Sequence, residues 1–151
     1  MLFDEKVAKF KVNADSKESA IKIAADELYK RGIVKETFFE NVVKREKEFP
    51  TGLHTGKYGV AIPHTDSEFV DRSQVGFISL DKPVKFKNMG NTAEDVDVTH
   101  IFMIAMAQPH EQADTLMKLM EMFSNEGLMG KLYTCRTNEE YENILRESNL
   151  I

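Results

Sequence analysis

Few residues of this chain are placed to do chemistry, and the most informative is His64. It follows Gly59-Val60-Ala61-Ile62-Pro63, an apolar run of β-forming residues that stops at a proline. Pro63 fixes its own φ and pushes Ile62 toward an extended backbone, so the sequence predicts a strand that ends sharply before His64. The imidazole then stands at the mouth of a sheet, ahead of the polar segment Thr65-Asp66-Ser67-Glu68. In open α/β sheets, ligands and reactive groups collect in that crevice. A histidine there can be a nucleophile, a base, a ligand or an ordinary surface residue.

The other histidines are His54, His100 and His110, and none forms the i, i+4 pair expected of a zinc site. Cys135 is the only cysteine, which excludes an intrachain disulfide and a thiolate metal cage. There is no Gly-x-Ser-x-Gly elbow and no dinucleotide fingerprint, and Gly52-Leu53-His54-Thr55-Gly56-Lys57 has the wrong glycine spacing for a phosphate-binding Walker loop. What remains is a histidine acting as a covalent carrier, of a phosphoryl group for instance, or an ordinary surface histidine. A neutral imidazole offers one unprotonated nitrogen as a nucleophile. It needs in-line access, donors for the phosphoryl oxygens, and a partner for its second nitrogen. Arg45 is a candidate donor, because a guanidinium matches phosphate oxygens in a fork. Thr51 and the amides of the glycine loop could add neutral donors without a metal. Against this, Arg45 lies in Lys44-Arg45-Glu46-Lys47-Glu48, a composition typical of a solvated helix end. His100 falls in an apolar run and reads as a hydrogen-bonded core residue, and His54 reads as a loop residue.

Bulk properties narrow the field. A chain of 151 residues suits one domain, spanning 1–151. A net charge of −5, with no basic stripe, argues against nucleic acid and favours small-molecule chemistry or a basic protein partner. The apolar run Ile101–Ala107 is too short to span a bilayer, and Asp4, Glu5 and Lys6 interrupt any signal-like segment. A cytoplasmic location, no membrane insertion, no cofactor and no bound metal are therefore expected. Four of the eight methionines lie between Met117 and Met129, and their helical spacing favours core filling over an adaptable surface.

The elements that must position His64 follow from periodicity. Ala8, Phe10 and Val12 alternate with lysines, as in a half-buried strand. Asp15 and Glu18 resemble a capping box opening a helix to Lys30, with Gly32 as its stop. A second helix is expected from Lys35 to Glu48, ended by Pro50. A glycine-punctuated loop, Thr51–Gly59, leads into the Val60–Ile62 strand. A strand at Gln74–Leu80 precedes a turn at Asp81-Lys82-Pro83, and Val84 and Phe86 continue in extended form before the polar loop Asn88–Thr92. Asp97–Ala107 reads as a central buried strand. Pro109 opens a helix carrying Leu116, Leu119, Met120 and Phe123. Gly127 breaks it ahead of a short helical piece, and Thr137 with Glu140 caps a last helix. The order β-α-α-β-β-β-α-α-α predicts an α/β three-layer sandwich, a mixed sheet of about five strands flanked by helices on both faces.

Arg45-Glu46, Phe49-Pro50-Thr51-Gly52 and Gly59-Val60-Ala61-Ile62-Pro63-His64 together resemble the enzyme IIA domain of the fructose/mannitol class of the bacterial sugar phosphotransferase system. The likeness covers nearly the whole chain. It implies a phosphotransferase in which His64 accepts a phosphoryl group from the phosphocarrier protein HPr and passes it to a cysteine of a IIB domain, and through IIB to the IIC membrane permease. It also implies that Arg45 stabilises the phosphoryl oxygens and that His64 is phosphorylated on Nε2. A second histidine of the family falls at Gln112 when Leu116 and Leu119 are aligned, with His110 two residues earlier, and Gln112 is ranked ahead. The Phe-Pro-Thr-Gly context and that glutamine look most like the galactitol branch. Asp66, Glu68 and Asp71 are expected to rim the HPr docking surface. A rival reading is a regulatory module of the same fold, in which the phosphorylation of His64 switches binding to another protein. A third reading is metal-dependent hydrolysis centred on His54 and His64.

Overall fold

Ile101 to Ala105 are apolar at every position, and a strand of that composition must bury both of its faces. The computed structural model, which describes residues 1–151, shows how. In chain order the elements are β1 (Ala8–Val12), α1 (Lys17–Lys30), α2 (Phe38–Glu48), β2 (Gly52–Thr55), β3 (Tyr58–Ala61), a 3-10 turn at Ser67–Phe69, β4 (Gln74–Lys87), β5 (Asp95–Ala105), α3 (Ala113–Met122), α4 (Glu126–Thr134) and α5 (Asn138–Glu147). The five strands form one sheet in the order β1-β4-β5-β3-β2. β4 runs antiparallel to β5 and β2 to β3, whereas β1–β4 and β3–β5 are parallel. The sheet is therefore mixed, with helices on both faces, as the sequence predicts.

The two-residue period of the strands sorts the core into two layers. Ile78, Leu80, Ile101, Met103 and Ala105 face α1 and α2, packing with Leu28, Phe38 and Val42. Val75, Phe77 and Phe102 face the C-terminal helices, packing with Leu119, Phe123, Met129 and Tyr141. Both layers exclude water from β5, which lies centrally between β4 and β3.

Several boundaries differ from expectation, each for a local reason. The cap of α1 is Ser16 with Ser19, one residue beyond the Asp15/Glu18 pair: the Ser16 hydroxyl oxygen accepts from Ser19 N–H, and the Ser19 hydroxyl oxygen accepts from the Ser16 amide. α2 starts at Phe38 rather than Lys35. The supposed loop 51–59 is a β2–β3 hairpin, turned at Gly56 with φ +84°, a left-handed conformation that glycine adopts without strain. No turn breaks β4 at Asp81-Lys82-Pro83. The strand runs on to Lys87 through an irregularity between Ser79 and Val84, where Pro83 needs no ladder donor. β5 spans Asp95–Ala105, two residues earlier than expected at each end. α3 begins at Ala113, because Pro109 is followed by His110 and Gln112 with φ of 64° and 54°, which no helix contains. Gly127 lies in the first turn of α4, whose cap is Asn125, accepting from the Leu128 amide. Thr137 caps α5 as expected, although the Glu140 carboxylate reaches back to the Arg136 amide.

His100 is a core residue. It is fully buried on β5, and because a carbonyl oxygen only accepts, its Nε2–H donates to Met129 O at 2.9 Å. Nδ1 is then the acceptor for the Thr99 hydroxyl at 2.7 Å. Burial opposes a charge here and lowers the pKa from 6.5 to about 4. The unfolded chain takes up this proton at a higher pH than the folded chain, so stability falls as pH drops from about 6.5 toward 4. Equilibrium urea unfolding at pH 7 and pH 4.5 should show this term as roughly 2–3 kcal/mol of acid sensitivity that His100→Gln lacks. An equal pH dependence in both proteins would remove His100 as its source.

Candidate functional site

The polypeptide leaves β3 at Ala61 but does not leave the sheet. Ile62 N–H donates to Thr51 O at 3.4 Å, and Ile104 N–H donates to Pro63 O at 3.1 Å. His64 then forms an isolated parallel bridge with Ile104. Pro63 lacks a donor, so it ends the regular ladder, yet its carbonyl still ties the segment to β5. His64 is thus fixed beside the C-terminal end of β5 rather than released into a loop.

The tie continues into the ring. His64 Nδ1 lies 2.8 Å from Ile62 O, and a carbonyl oxygen can only accept, so Nδ1 carries the hydrogen. A neutral imidazole in that tautomer has its lone pair on Nε2. The ring is half-buried and lines an open cleft of about 720 Å³, together with Arg45, Asp66, Glu68, Met106 and His110.

Arg45 reaches this cleft from the last turns of α2. Its guanidinium carbon lies 5.2 Å from the Phe49 ring centroid, a cation–π contact that holds the side chain in place. Its Nε is buried and has no hydrogen-bond partner, and none of the ion pairs of the fold uses it. Nε is closed to solvent, so an anionic group brought into the cleft would meet the terminal N–H groups of the guanidinium, which also have no partner in the fold.

The remaining sequence candidates separate. His110 is exposed and lines the cleft with His64; Gln112 is not among the lining residues and sits at the N-terminus of α3, its side chain making no capping bond. Of the two candidates, with Gln112 ranked ahead on the sequence, only His110 is among the residues lining the cleft. The left-handed turn after Pro109, invisible to a helical alignment of the leucines, is the cause. Thr51 does not face the cleft. It is buried, and both its N–H and its hydroxyl donate to the Glu46 carboxylate at 2.8 Å. Asp66 and Glu68 lie on the rim, whereas Asp71 is not among the lining residues. His54 pairs with Glu94 at 2.6 Å and stands opposite Gly59 across the hairpin, five residues before His64, or about 16 Å of strand away. No group of three or more His, Cys, Asp or Glu side chains comes together to hold a metal.

Sequence reasoning missed the role of the Ile62 carbonyl and the apolar wall formed by Ile104, Met106 and Pro109. Glu46 stands out in the sequence only as the neighbour of Arg45 in a motif. The available signal was spacing: Phe38, Val42 and Glu46 recur every four residues, which puts a carboxylate on the buried stripe of α2.

The family model for the phosphoenolpyruvate-dependent sugar phosphotransferase system, EIIA 2, matches residues 1–148. The chain belongs to this family. As an EIIA it is a phosphoryl-carrying phosphotransferase component of a sugar system. Among curated proteins it is similar to the ascorbate-specific PTS system EIIA component of Escherichia coli, with 24% identity over 154 residues, covering 98% of this chain and 94% of that protein. Among solved structures, IIA mannitol from Escherichia coli superposes with a TM-score of 0.78 at 24% identity, covering 96% of this chain and 99% of the other. The complex of enzyme IIA and phosphorylated enzyme IIB of the mannitol system of Escherichia coli matches with a TM-score of 0.74 at 22% identity, over 93% of this chain and 94% of that one. At these identities the structures establish the shared fold. No helix of this EIIA is long and apolar enough to cross a membrane.

Proposed function

We propose that residues 1–151 form one IIA unit in which His64 carries the phosphoryl group between HPr and a IIB cysteine. The observation that carries this reading is the hydrogen bond from His64 Nδ1–H to Ile62 O, which leaves the Nε2 lone pair as the nucleophile. In the first step Nε2 attacks phosphorus in line, a P–N bond forms, and the bond between phosphorus and the HPr carrier breaks. In the second step a IIB thiolate attacks the same phosphorus, a P–S bond forms and the P–N bond breaks, returning neutral His64. Nδ1 keeps its hydrogen throughout, so no proton has to be moved within the cleft. Arg45 offers its free N–H groups to the phosphoryl oxygens, where charge concentrates in the transition state. His110 lines the same cleft and offers a second ring N–H within it.

Asp66 and Glu68 give the rim a negative charge, which favours the basic face of HPr and speeds encounter at low salt. The IIC permease is reached only through IIB, and location in the cytoplasm follows from those partners. For the sugar, the ascorbate-specific relatives support an ascorbate-type substrate, and nothing among the named relatives supports the galactitol branch.

The test is reconstitution. Phosphoenolpyruvate, enzyme I and HPr should label the protein on His64 with an acid-labile phosphoryl group, and a cognate IIB should discharge it. Labelling without discharge by any IIB would favour the regulatory module instead. In the same assay Arg45→Ala should slow acceptance by about 10²–10³-fold with little change in stability, because a transition-state donor is lost. An unchanged rate would remove Arg45 from the site.

A further inference from the structure

Glu46 is a buried carboxylate, 3% exposed, which forms no ion pair. Burial pushes its pKa upward, against the two hydrogen bonds from Thr51 that favour the ionised form. A group kept in such a place at a cost in desolvation needs a reason, and its bonds lead in one direction. Thr51 N–H donates to Glu46 Oε2 and Thr51 Oγ1–H to Oε1, both at 2.8 Å. The Thr51 carbonyl accepts from Ile62 N–H. The carbonyl at the other side of the same residue, Ile62 O, accepts from His64 Nδ1–H.

We infer that Glu46 is a positioning residue for His64, acting through Thr51 and Ile62 to aim the Ile62 carbonyl and so hold the imidazole in the tautomer with its lone pair on Nε2. This rests on the reading of His64 as phosphoacceptor. The two adjacent residues of α2 thereby divide the work. Arg45 points into the cleft, while Glu46, one helical step of about 100° further round, points inward and fixes the backbone under the histidine. Other restraints on this segment come from β5, through Ile104 N–H to Pro63 O. The Ile62 carbonyl shares a planar peptide with the Pro63 nitrogen, so that bond steadies it from the Pro63 side, while the Thr51 contact steadies Ile62 from its amide.

The experiment uses the full-length, ¹⁵N-labelled unphosphorylated protein at a pH where His64 is neutral, and reads its tautomer from the ring nitrogen shifts. Kinetics with HPr are measured in parallel. Glu46→Ala leaves both Thr51 donors without their acceptor. It should reduce the preference for the Nδ1–H tautomer by roughly 3- to 10-fold, the bias one ordinary hydrogen bond provides. kcat for phosphoryl acceptance should fall by a similar factor while KM for HPr is unchanged. Glu46→Gln should restore both, because its carbonyl oxygen accepts from Thr51 N–H while its amide donates to the Thr51 hydroxyl, which then acts as acceptor. Thr51→Val, which removes one of the two bonds and keeps the shape, should fall between them and serves if Glu46→Ala does not fold. A folded Glu46→Ala or Thr51→Val protein with wild-type tautomer ratio and kcat would overturn the inference. So would a Glu46→Gln protein as impaired as the alanine variant. The tautomer measurement needs no phosphoryl transfer, so a positioning effect seen in a protein that HPr never labels would condemn the relay reading and leave the positioning intact.

Discussion

His64→Ala should abolish phosphoryl acceptance from HPr, with labelling reduced by on the order of 10³-fold or more. Removing the nucleophile leaves the cleft with Arg45, a protonated guanidinium with no lone pair to attack phosphorus, and with His110. His110 is exposed on a left-handed turn, and no hydrogen bond to a fixed carbonyl prepares one of its nitrogens. The half-buried His64 side chain contributes one hydrogen bond to its own backbone neighbourhood, so the folded state should lose only about 1 kcal/mol. Labelling with radioactive phosphoenolpyruvate, with thermal unfolding as a control, separates the two effects. Undiminished labelling of a folded His64→Ala protein would show that the phosphoryl group resides elsewhere.

Gly59→Ala should unfold or severely weaken the protein, and it should do so from inside the motif that carries His64. A Cβ at this position would overlap the Asp97 carbonyl oxygen of β5, with the Asp97 carbonyl carbon at 2.8 Å and Val96 Cγ1 at 3.0 Å. Two of these three atoms belong to the main chain, so no rotamer change relieves the overlap and β3 must move away from β5. Overpacking commonly costs 1–3 kcal/mol, and a clash against backbone sits at about 3 kcal/mol or above. Against a total stability of about 5–15 kcal/mol, that is a large loss. The displaced strand is also the one that brings His64 opposite Ile104, so acceptance of phosphate should fall with stability. Gly90→Ala is the control: its nearest neighbour is Asn88 Oδ1 at 3.6 Å, and its unfolding midpoint should stay within about 0.5 kcal/mol of wild type. A Gly59→Ala protein as stable as that control would show that β3 and β5 can part without loss.

Residue type and order alone were sufficient for the sheet, the two helical layers and the central strand. These depend on periodicity, and periodicity is local: every residue from Ile101 to Ala105 is apolar, and α2 shows its buried stripe at four-residue intervals. The motif around Pro63-His64 was likewise readable, because a proline after a β-forming run constrains the backbone wherever it occurs. The hairpin at 51–59 was not, since four-residue strands between glycines resemble a loop until a partner strand is present. The continuity of β4 through Pro83 was hidden for the same reason: pairing to β5 outweighs the local turn signal.

The site divides in the same way. His64 and Arg45 could be named from their chemical types and their context. Which nitrogen of His64 is free could not be named that way, because it depends on where the Ile62 carbonyl points in the folded chain. Nor could the choice between His110 and Gln112, where two left-handed residues turn the chain before α3 and bring only the histidine into the cleft. Residue type and order place a histidine at a strand end and an arginine on the helix before it. How that ring is held follows from folding: Ile62 lies only two residues away, but its carbonyl meets the ring because pairing to β5, through Ile104 N–H and Pro63 O, sets the path of the backbone, and no local pattern encodes that pairing.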